Sequence, residues 1–182
     1  MSKEFVIKLR GIAFLMKEKV KKGIVFLQET HSVSSDFLKW KSEWEGDLFL
    51  NNGTSNSKGT LIAFTNNFSC TMTTNESVCE GRLQLIQIEY NDTKYIWINI
   101  YNGNIERLQV MLLKKLYKKL SSMNDLIEYE VIIGGYWNFI NDKVLDAQGG
   151  NPLLKLSSIA EYTKISEKFN LCDIFRVRHP QL

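Results

Sequence analysis

The side chains best suited to chemistry follow a short apolar run near the start of the chain. Ile24–Leu27 is short enough for a buried strand, and the polar residues Gln28, Glu29, Thr30 and His31 come directly after it. Mg²⁺ is a hard cation that keeps several waters and takes one or two carboxylates from a protein. Glu29 is therefore a candidate metal ligand, although a glutamate taken alone is more often a solvated carboxylate.

Two further candidates lie at the ends of later apolar segments. Tyr101 ends the segment Tyr95–Tyr101, and Asn138 follows the pair Gly134-Gly135 at a short distance. Taken alone, an aromatic residue at a strand end more often belongs to the core, and an asparagine there more often closes a turn. The glycine pair lacks both a GxGxxG pattern and the lysine of a P-loop, so it is interpreted as a strand-end turn.

Hydrophobic periodicity predicts the elements that must position these side chains. The predicted strands are Ile24–Leu27, Thr60–Thr65, Arg82–Tyr90, Tyr95–Tyr101 and Glu130–Gly135. The predicted helices are Ile12–Lys22, one from Ile105 with Leu108, Leu112, Leu116 and Leu120 on its apolar face, and Ser157–Phe169 with Ser157 or Ser158 as N-cap. Elements in this order indicate an α/β domain whose sheets are covered by helices.

Composition indicates one folded domain over residues 1–182, since 44% of the residues are hydrophobic and 24% are charged. The net charge of +3 is a weak argument for a nucleic-acid partner. Lysines on one helical face are more often its solvated side than a phosphate contact. The two lysine clusters are Lys17, Lys19, Lys21 and Lys22, and Lys114, Lys115, Lys118 and Lys119.

The stretch Phe5–Met16 fails as a signal peptide because Lys8 and Arg10 interrupt it. No apolar run is long enough to span a bilayer. We therefore expect an intracellular protein, nuclear or cytoplasmic, without a membrane partner.

Four segments, in their order and spacing, resemble the endonuclease/exonuclease/phosphatase superfamily. The segments are Ile24 to His31, Ser57-Lys58-Gly59, Asn99-Ile100-Tyr101 and Ile132 to Asn138. The sequence is most similar to the endonuclease domains of non-LTR, LINE-type retrotransposons, because three further features match that branch. These are Gln28-Glu29-Thr30-His31, Leu145-Asp146 before Gly149-Gly150-Asn151-Pro152, and the ending Asn170 to Arg176 with His179-Pro180.

This resemblance implies a fold, a reaction and a set of site residues. The fold is a four-layer sandwich of two β-sheets flanked by helices, and the reaction is Mg²⁺-dependent cleavage of phosphodiesters in DNA by a monomer. Glu29 matches the metal ligand, Tyr101 matches the tyrosine whose hydroxyl bonds the scissile phosphate, and Asn138 matches an asparagine that helps hold phosphate and nucleophile. His31 follows the metal ligand in the family and is not its general base. Strand termini in the family's sandwich share a direction, so we expect Glu29, Tyr101 and Asn138 to converge at one edge. We also expect the strands Val25–Leu27, Ile96–Ile100 and Val131–Ile133 to be buried.

Three departures from the family pattern predict that catalysis is impaired. Tyr136 stands where the family carries an aspartate that helps activate water, and a neutral phenol does not replace a carboxylate. Lys8 stands where the first strand offers an asparagine near the metal. The family continues beyond His179-Pro180 into strands with an Arg/Asp element and a final Ser-Asp-His, so we expect the C-terminal strands to be missing. Asp142 or Asp146 could supply the lost carboxylate, but neither is in register.

Three hypotheses follow from this pattern. The first is a retrotransposon-derived endonuclease-like domain in which Glu29, Tyr101 and Asn138 are vestigial and Mg²⁺ binding is weak or absent. The second is an active metal-dependent phosphodiesterase or phosphatase of the same superfamily. The third is a non-catalytic nucleic-acid-binding module, supported by the two lysine clusters and Arg82.

Overall fold

The computed structural model describes residues 12–13, 16–141, 146 and 153–179. Lys8, Asp142 and the segment Gly149-Gly150-Asn151-Pro152 lie outside the described residues. The chain divides into two units: the first comprises Met1–Tyr101 with Ile127–Tyr136, and the second comprises Asn102–Leu126 with Trp137–Leu182. The prediction of one domain over residues 1–182 stays a prediction.

Three antiparallel strands form the first sheet of unit 1. They are β1 (Ile24–Gln28), β2 (Leu48–Asn51) and β3 (Thr60–Phe64), in the order β1-β3-β2. The central strand β3 is buried at every position, as its apolar sequence TLIAF requires. Helix α1 (Phe37–Glu43) contributes Trp40, which packs in one apolar cluster with members of this sheet. The remaining buried members of the cluster are Met16, Trp44, Leu48, Leu61 and Ala63.

Four strands form the second sheet, in the order β4-β5-β6-β7. They are β4 (Thr71–Cys79), β5 (Leu83–Tyr90), β6 (Thr93–Tyr101) and β7 (Tyr129–Tyr136). β6 pairs with β5 antiparallel through a tight turn at Asn91 and Asp92, whose φ angles of 50° and 60° suit these two residue types. β7 pairs with β6 in parallel, and this pairing places Tyr136 directly beside Tyr101.

The two sheets of unit 1 pack face to face. Ile62 and Phe64 of the first sheet share a buried cluster with Ile86 and Ile88 of the second. Trp97 packs against the same cluster, with its ring 6.2 Å from that of Phe64. Burying two apolar sheet faces against each other is the usual way to stabilise such an arrangement.

Unit 2 is helical where it is described. It contains α2 (Glu106–Ser121), α3 (Leu156–Lys168) and α4 (Ile174–Arg178). Lys114 of α2 lies 3.6 Å from Glu161 of α3, and the buried Ser158 hydroxyl donates to Gln109 Oε1 at 2.8 Å. The apolar side of α2 is formed by Leu112, Leu113, Leu116 and Leu120, all buried.

The predicted α/β sandwich of two sheets with helices is confirmed, and so are the five predicted strands. Two details of the predictions are wrong. Helix α3 begins after Lys155 without a side-chain cap, since Ser158 is turned inward to Gln109 rather than capping. Burial is the second, since Ile132 in the middle of β7 is 45% exposed and Val25 to Leu27 of β1 are only partly buried, where both segments are predicted to be buried. Among the described residues, no helix is long and apolar enough to cross a membrane.

Candidate active site

Glu29 follows β1 on a turn with unusual backbone conformations. Glu29 and His31 have φ angles of 56° and 52°, in the left-handed region, and so does Lys58 at 65°. Two backbone hydrogen bonds fix the turn, from Thr30 N to the Gly59 carbonyl at 3.2 Å and from His31 N to the Lys58 carbonyl at 2.9 Å. Non-glycine residues in this region cost energy and cluster at functional sites, so the turn is a candidate site on backbone geometry alone.

Gly59 explains why the Ser57-Lys58-Gly59 segment accompanies this turn. A Cβ at Gly59 would lie 2.3 Å from Thr30 Oγ1, and the residue has a φ of +96°. Only glycine therefore allows the two loops to approach closely enough for their backbone hydrogen bonds. The segment positions the turn that bears Glu29.

Tyr101 and Glu29 meet directly. The Tyr101 hydroxyl donates to Glu29 Oε1 at 2.5 Å. Partial burial raises the pKa of Tyr101 to about 12, and the hydrogen bond to Glu29 and the charge of its carboxylate act in the same direction. The nearby Arg82 guanidinium opposes the rise. At neutral pH the Tyr101 phenol is therefore a neutral donor.

Arg82 contacts Tyr101 through both backbone and side chain. Tyr101 N donates to the Arg82 carbonyl at 2.7 Å, and Arg82 Nη1 donates to the Tyr101 carbonyl at 3.3 Å. The guanidinium carbon lies 5.1 Å from the centroid of the Tyr101 ring, within the range of a cation–π interaction. Arg82 thus places a positive charge beside the Glu29–Tyr101 pair.

Tyr136 of β7 is the cross-strand neighbour of Tyr101. Its ring is nearly parallel to that of Tyr101, with an interplanar angle of 16° and a centroid distance of 6.3 Å, and the residue is 51% exposed. The position that the family pattern assigns to a carboxylate therefore holds an exposed neutral ring.

The strand ends that carry these side chains are tied together by Asn99, which is fully buried. Its Nδ2 donates to the carbonyls of Leu27 at 3.0 Å and Leu61 at 2.9 Å, and its Oδ1 accepts from Gln28 Nε2 at 2.7 Å. One amide therefore links β6 to both β1 and β3, immediately before Glu29 and Tyr101.

Asn138 belongs to unit 2 and lies in a separate polar network. Its Nδ2 donates to Asn104 Oδ1 at 2.6 Å and to the Asn102 carbonyl at 3.2 Å. Its own carbonyl accepts from Gln109 Nε2 at 2.9 Å and from Lys155 Nζ at 2.7 Å. The structure brings Glu29 and Tyr101 together, whereas the convergence of Asn138 with them stays a prediction.

The described residues supply little for a metal. No group of three or more His, Cys, Asp or Glu side chains that could hold an ion occurs among them. Asp146 in unit 2 is engaged elsewhere, because it pairs with Arg176 and accepts from the Asn141 amide at 2.8 Å. Glu29 is exposed and offers one carboxylate, which suits an Mg²⁺ that keeps most of its waters.

Two polar residues of these networks were not predicted as site residues. The sequence predicts for Arg82 only a part in nucleic-acid binding, and it predicts no role for Asn104. The signal for both was their position, because Arg82 directly precedes β5 and Asn104 follows β6 by three residues. Loop positions beside strand ends are where functional side chains concentrate.

No family model matches the chain. In sequence it is similar to a curated relative from Xenopus laevis, the transposon TX1 uncharacterized 149 kDa protein, with 28% identity over 162 residues. These residues are 87% of this chain but only 12% of the relative, so the chain spans a small part of that protein.

Solved structures with similar folds include an AP endonuclease from Archaeoglobus fulgidus, with a TM-score of 0.66 and 20% identity over 96% of this chain and 70% of that chain. D. rerio TDP2 complexed with single strand DNA product has a TM-score of 0.55 and 19% identity, over 75% and 55% of the chains. An endonuclease/exonuclease/phosphatase family protein from Bacteroides thetaiotaomicron has a TM-score of 0.58 and 10% identity, over 87% and 60%. The predicted resemblance to this superfamily is confirmed at the level of the fold.

Proposed function

We propose that this chain is an endonuclease-like domain of the retrotransposon type, that its partner is DNA, and that its ability to cut phosphodiesters is impaired. The observation that carries the proposal is Tyr136, whose ring lies beside Tyr101 where a carboxylate would activate water. The two other residues at this edge that match the family pattern, Glu29 and Tyr101, are present and hydrogen-bonded to each other.

Glu29 and Tyr101 are suited to holding a phosphate at this edge of the sheets. When bound, Mg²⁺ would neutralise phosphate charge and stabilise a leaving oxygen, and Glu29 would be its protein ligand. The Tyr101 hydroxyl orients that carboxylate through the 2.5 Å hydrogen bond. In place of that bond, the neutral phenol can donate its one proton to a phosphate oxygen without adding negative charge, which its raised pKa favours.

Water activation is the step that these residues do not supply. A general base must accept a proton and lie within hydrogen-bond reach of it. Tyr136 brings a phenol hydroxyl where a carboxylate would accept the proton, and a phenol is a far weaker proton acceptor than a carboxylate. Loss of one member of a catalytic group commonly lowers the rate by about 10⁴-fold.

DNA is proposed as the partner on the strength of the relatives. The sequence relative is named as a transposon protein, and one protein of similar fold was solved with single strand DNA product. Within unit 1, Lys17, Lys19, Lys21 and Lys22 are exposed, and Arg82 lies beside the site. Lys17 also lies 3.6 Å from Glu45, and together these residues supply positive charge for phosphate contacts.

The partner is tested by measuring DNA affinity as a function of salt. Real phosphate contacts release counterions, so the logarithm of the association constant should fall with the logarithm of salt with a slope of about −2 or steeper. Arg82→Gln should weaken binding and make the slope shallower by about 1. Affinity that does not respond to salt would contradict DNA as the partner.

A second candidate is an active metal-dependent phosphodiesterase or phosphatase of the same superfamily. The intact hydrogen bond between Glu29 and Tyr101 favours it, because an active enzyme of this superfamily would use both groups. The non-catalytic binding module shares the DNA partner with the first proposal. What separates the enzyme from the other two is strand cleavage that depends on both Mg²⁺ and Glu29.

A further inference from the structure

The exposed ring of Tyr136 forms a small platform with Tyr101. The parallel register of β6 and β7 pairs the two residues, so their side chains leave the same face of the sheet as neighbours. Their planes differ by 16°, and Tyr136 is 51% exposed. A large aromatic ring half open to water is not accounted for by core packing.

We propose that Tyr136, supported by Tyr101, is a stacking site for one unpaired base of a nucleic-acid strand. This proposal rests on the proposed function, because the nucleic-acid partner comes from it. It assigns to Tyr136 a binding role in place of the water activation that a carboxylate would provide there. Single-stranded nucleic acids are commonly bound by aromatic side chains on which bases stack.

Two glycines hold the platform in place. A Cβ at Gly134 would lie 2.6 Å from the Phe26 ring, and one at Gly135 would lie 2.0 Å from the Ile100 carbonyl oxygen. The end of β7 therefore lies unusually close to both β1 and β6. A ring presented by a firmly packed strand loses little conformational freedom when a base stacks on it, which favours binding.

The charges around the pair favour a base over a phosphate at this position. The Tyr101 hydroxyl donates to Glu29, and when no Mg²⁺ is bound there the negative charge of Glu29 disfavours an anion in direct contact with the two rings. Arg82 lies 5.1 Å from the Tyr101 ring, where it can attract the backbone of the same strand. The flat aromatic face of Tyr136 therefore suits an uncharged nucleobase.

Stacking of a base on an aromatic side chain contributes about 1–3 kcal/mol, as measured by alanine substitution. Converted to affinity, this is a factor of roughly 5 to 150. A loss of affinity of this size can be measured when the Tyr136 ring alone is removed.

The test uses fluorescence anisotropy with two labelled single strands of about ten nucleotides, one with bases and one with abasic residues throughout. Tyr136→Ala and Tyr136→Leu should each weaken binding of the base-containing strand about 5-fold or more and leave the abasic strand unchanged. Tyr136→Phe keeps the ring and should bind like the wild type. Tyr129→Ala, at the opposite end of β7, is the matched control and should change neither affinity.

Two negative results separate this inference from the function on which it rests. If the base-containing strand binds with a clear salt dependence and Tyr136→Leu binds it as tightly as Tyr136→Phe, the stacking site is wrong and the nucleic-acid partner stands. If neither strand binds in a salt-dependent manner, the proposed nucleic-acid partner is wrong, and the proposed stacking site is wrong with it. The leucine variant keeps an apolar side chain of similar bulk, so the test does not depend on the alanine variant folding.

Discussion

The Tyr101 hydroxyl is held as a neutral donor by the groups around it. Partial burial disfavours the phenolate, and the Glu29 carboxylate both accepts the hydroxyl proton in a hydrogen bond and repels a second negative charge. Arg82 reduces this effect without reversing it. A tyrosine that resists ionisation can orient a carboxylate or a phosphate over the whole physiological pH range.

This state of Tyr101 predicts a distinct titration. Tyr101 should ionise near pH 12 in a spectrophotometric titration, and Tyr101→Phe should remove that step. Glu29→Gln should lower the pKa of Tyr101 because the carboxylate charge is lost. A step that is unchanged in Glu29→Gln would contradict the contribution of Glu29 to this pKa shift.

The same pKa shift has a consequence for stability. The folded-state pKa of Tyr101 lies above the unfolded value near 10, so the protonated phenol favours the folded state. This contribution is fully present below pH 10 and is lost as the pH rises through about 12. The free-energy difference between wild type and Tyr101→Phe should therefore shrink over that alkaline window in denaturant unfolding.

Sequence reasoning could place Glu29 and Tyr101 at strand ends because each lies at the end of an apolar run, and the family resemblance then singled them out as site residues. It could not predict that Tyr136 stacks on Tyr101. That contact depends on the register between β6 and β7, which are separated along the chain by α2. The positive charge of Arg82 beside the ring likewise depends on a contact between neighbouring strands.

At the scale of elements, the end of β7 is the most constrained part of the site. Gly135 has a φ of +135° and a Cβ there would collide with the backbone of Ile100. Gly23, before β1, has a similar φ of +144°, but the atom nearest to a new Cβ there, Val20 Cγ1, would be 3.8 Å away. A side chain at Gly23 therefore costs mainly the strain of the positive φ, whereas one at Gly135 also collides with the backbone of Ile100.

We predict that Gly23→Ala lowers the free energy of unfolding by about 1 kcal/mol and that Gly135→Ala lowers it by about 3 kcal/mol or more. The additional loss reflects the displacement of β7 from β6. Urea unfolding of both variants measures the difference. Equal losses would mean that β7 is not packed against β6 as closely as described.

The elements that sequence reasoning missed share a physical cause. β4 has the sequence TMTTNESVC and lies at a sheet edge with its first five residues exposed, so it lacks the apolar pattern of a buried strand. β2 has only four residues and α1 only seven, too short for a clear period. The buried central strands β3, β5 and β6 were predicted because burial imposes an apolar sequence.

At the scale of the whole molecule, short motifs identified the fold better than overall similarity does. The solved structures share 20% identity or less with the chain among those compared above, yet the strand ends that carry Glu29, Asn99 and Tyr101 are recognisable in the sequence. Core positions accept many apolar residues of similar volume, so overall identity says less about the fold than the polar residues at the strand ends do. Periodicity alone predicted only an α/β class.

The small amount of negative charge at the site predicts weak metal binding. Glu29 supplies one carboxylate, and the sequence has Lys8 where the family pattern predicts an uncharged asparagine. A ligand stabilises a protein only when its concentration exceeds the dissociation constant. Sub-millimolar Mg²⁺ should therefore leave the melting temperature of the wild type within about 1 °C of the metal-free value. A saturable rise that Glu29→Ala abolishes would contradict weak binding.

Cleavage of supercoiled plasmid in the presence of Mg²⁺ tests the central claim most directly, because one nick converts the plasmid to a form that a gel separates. Wild type and Glu29→Ala are compared at equal concentration, with Tyr129→Ala as a control for substitution at a distance from Glu29. Since Tyr136 offers no base for the attacking water, the account predicts that all three nick at the same background rate. Nicking by wild type and Tyr129→Ala that requires Mg²⁺ and is abolished in Glu29→Ala would contradict it and establish an active phosphodiesterase.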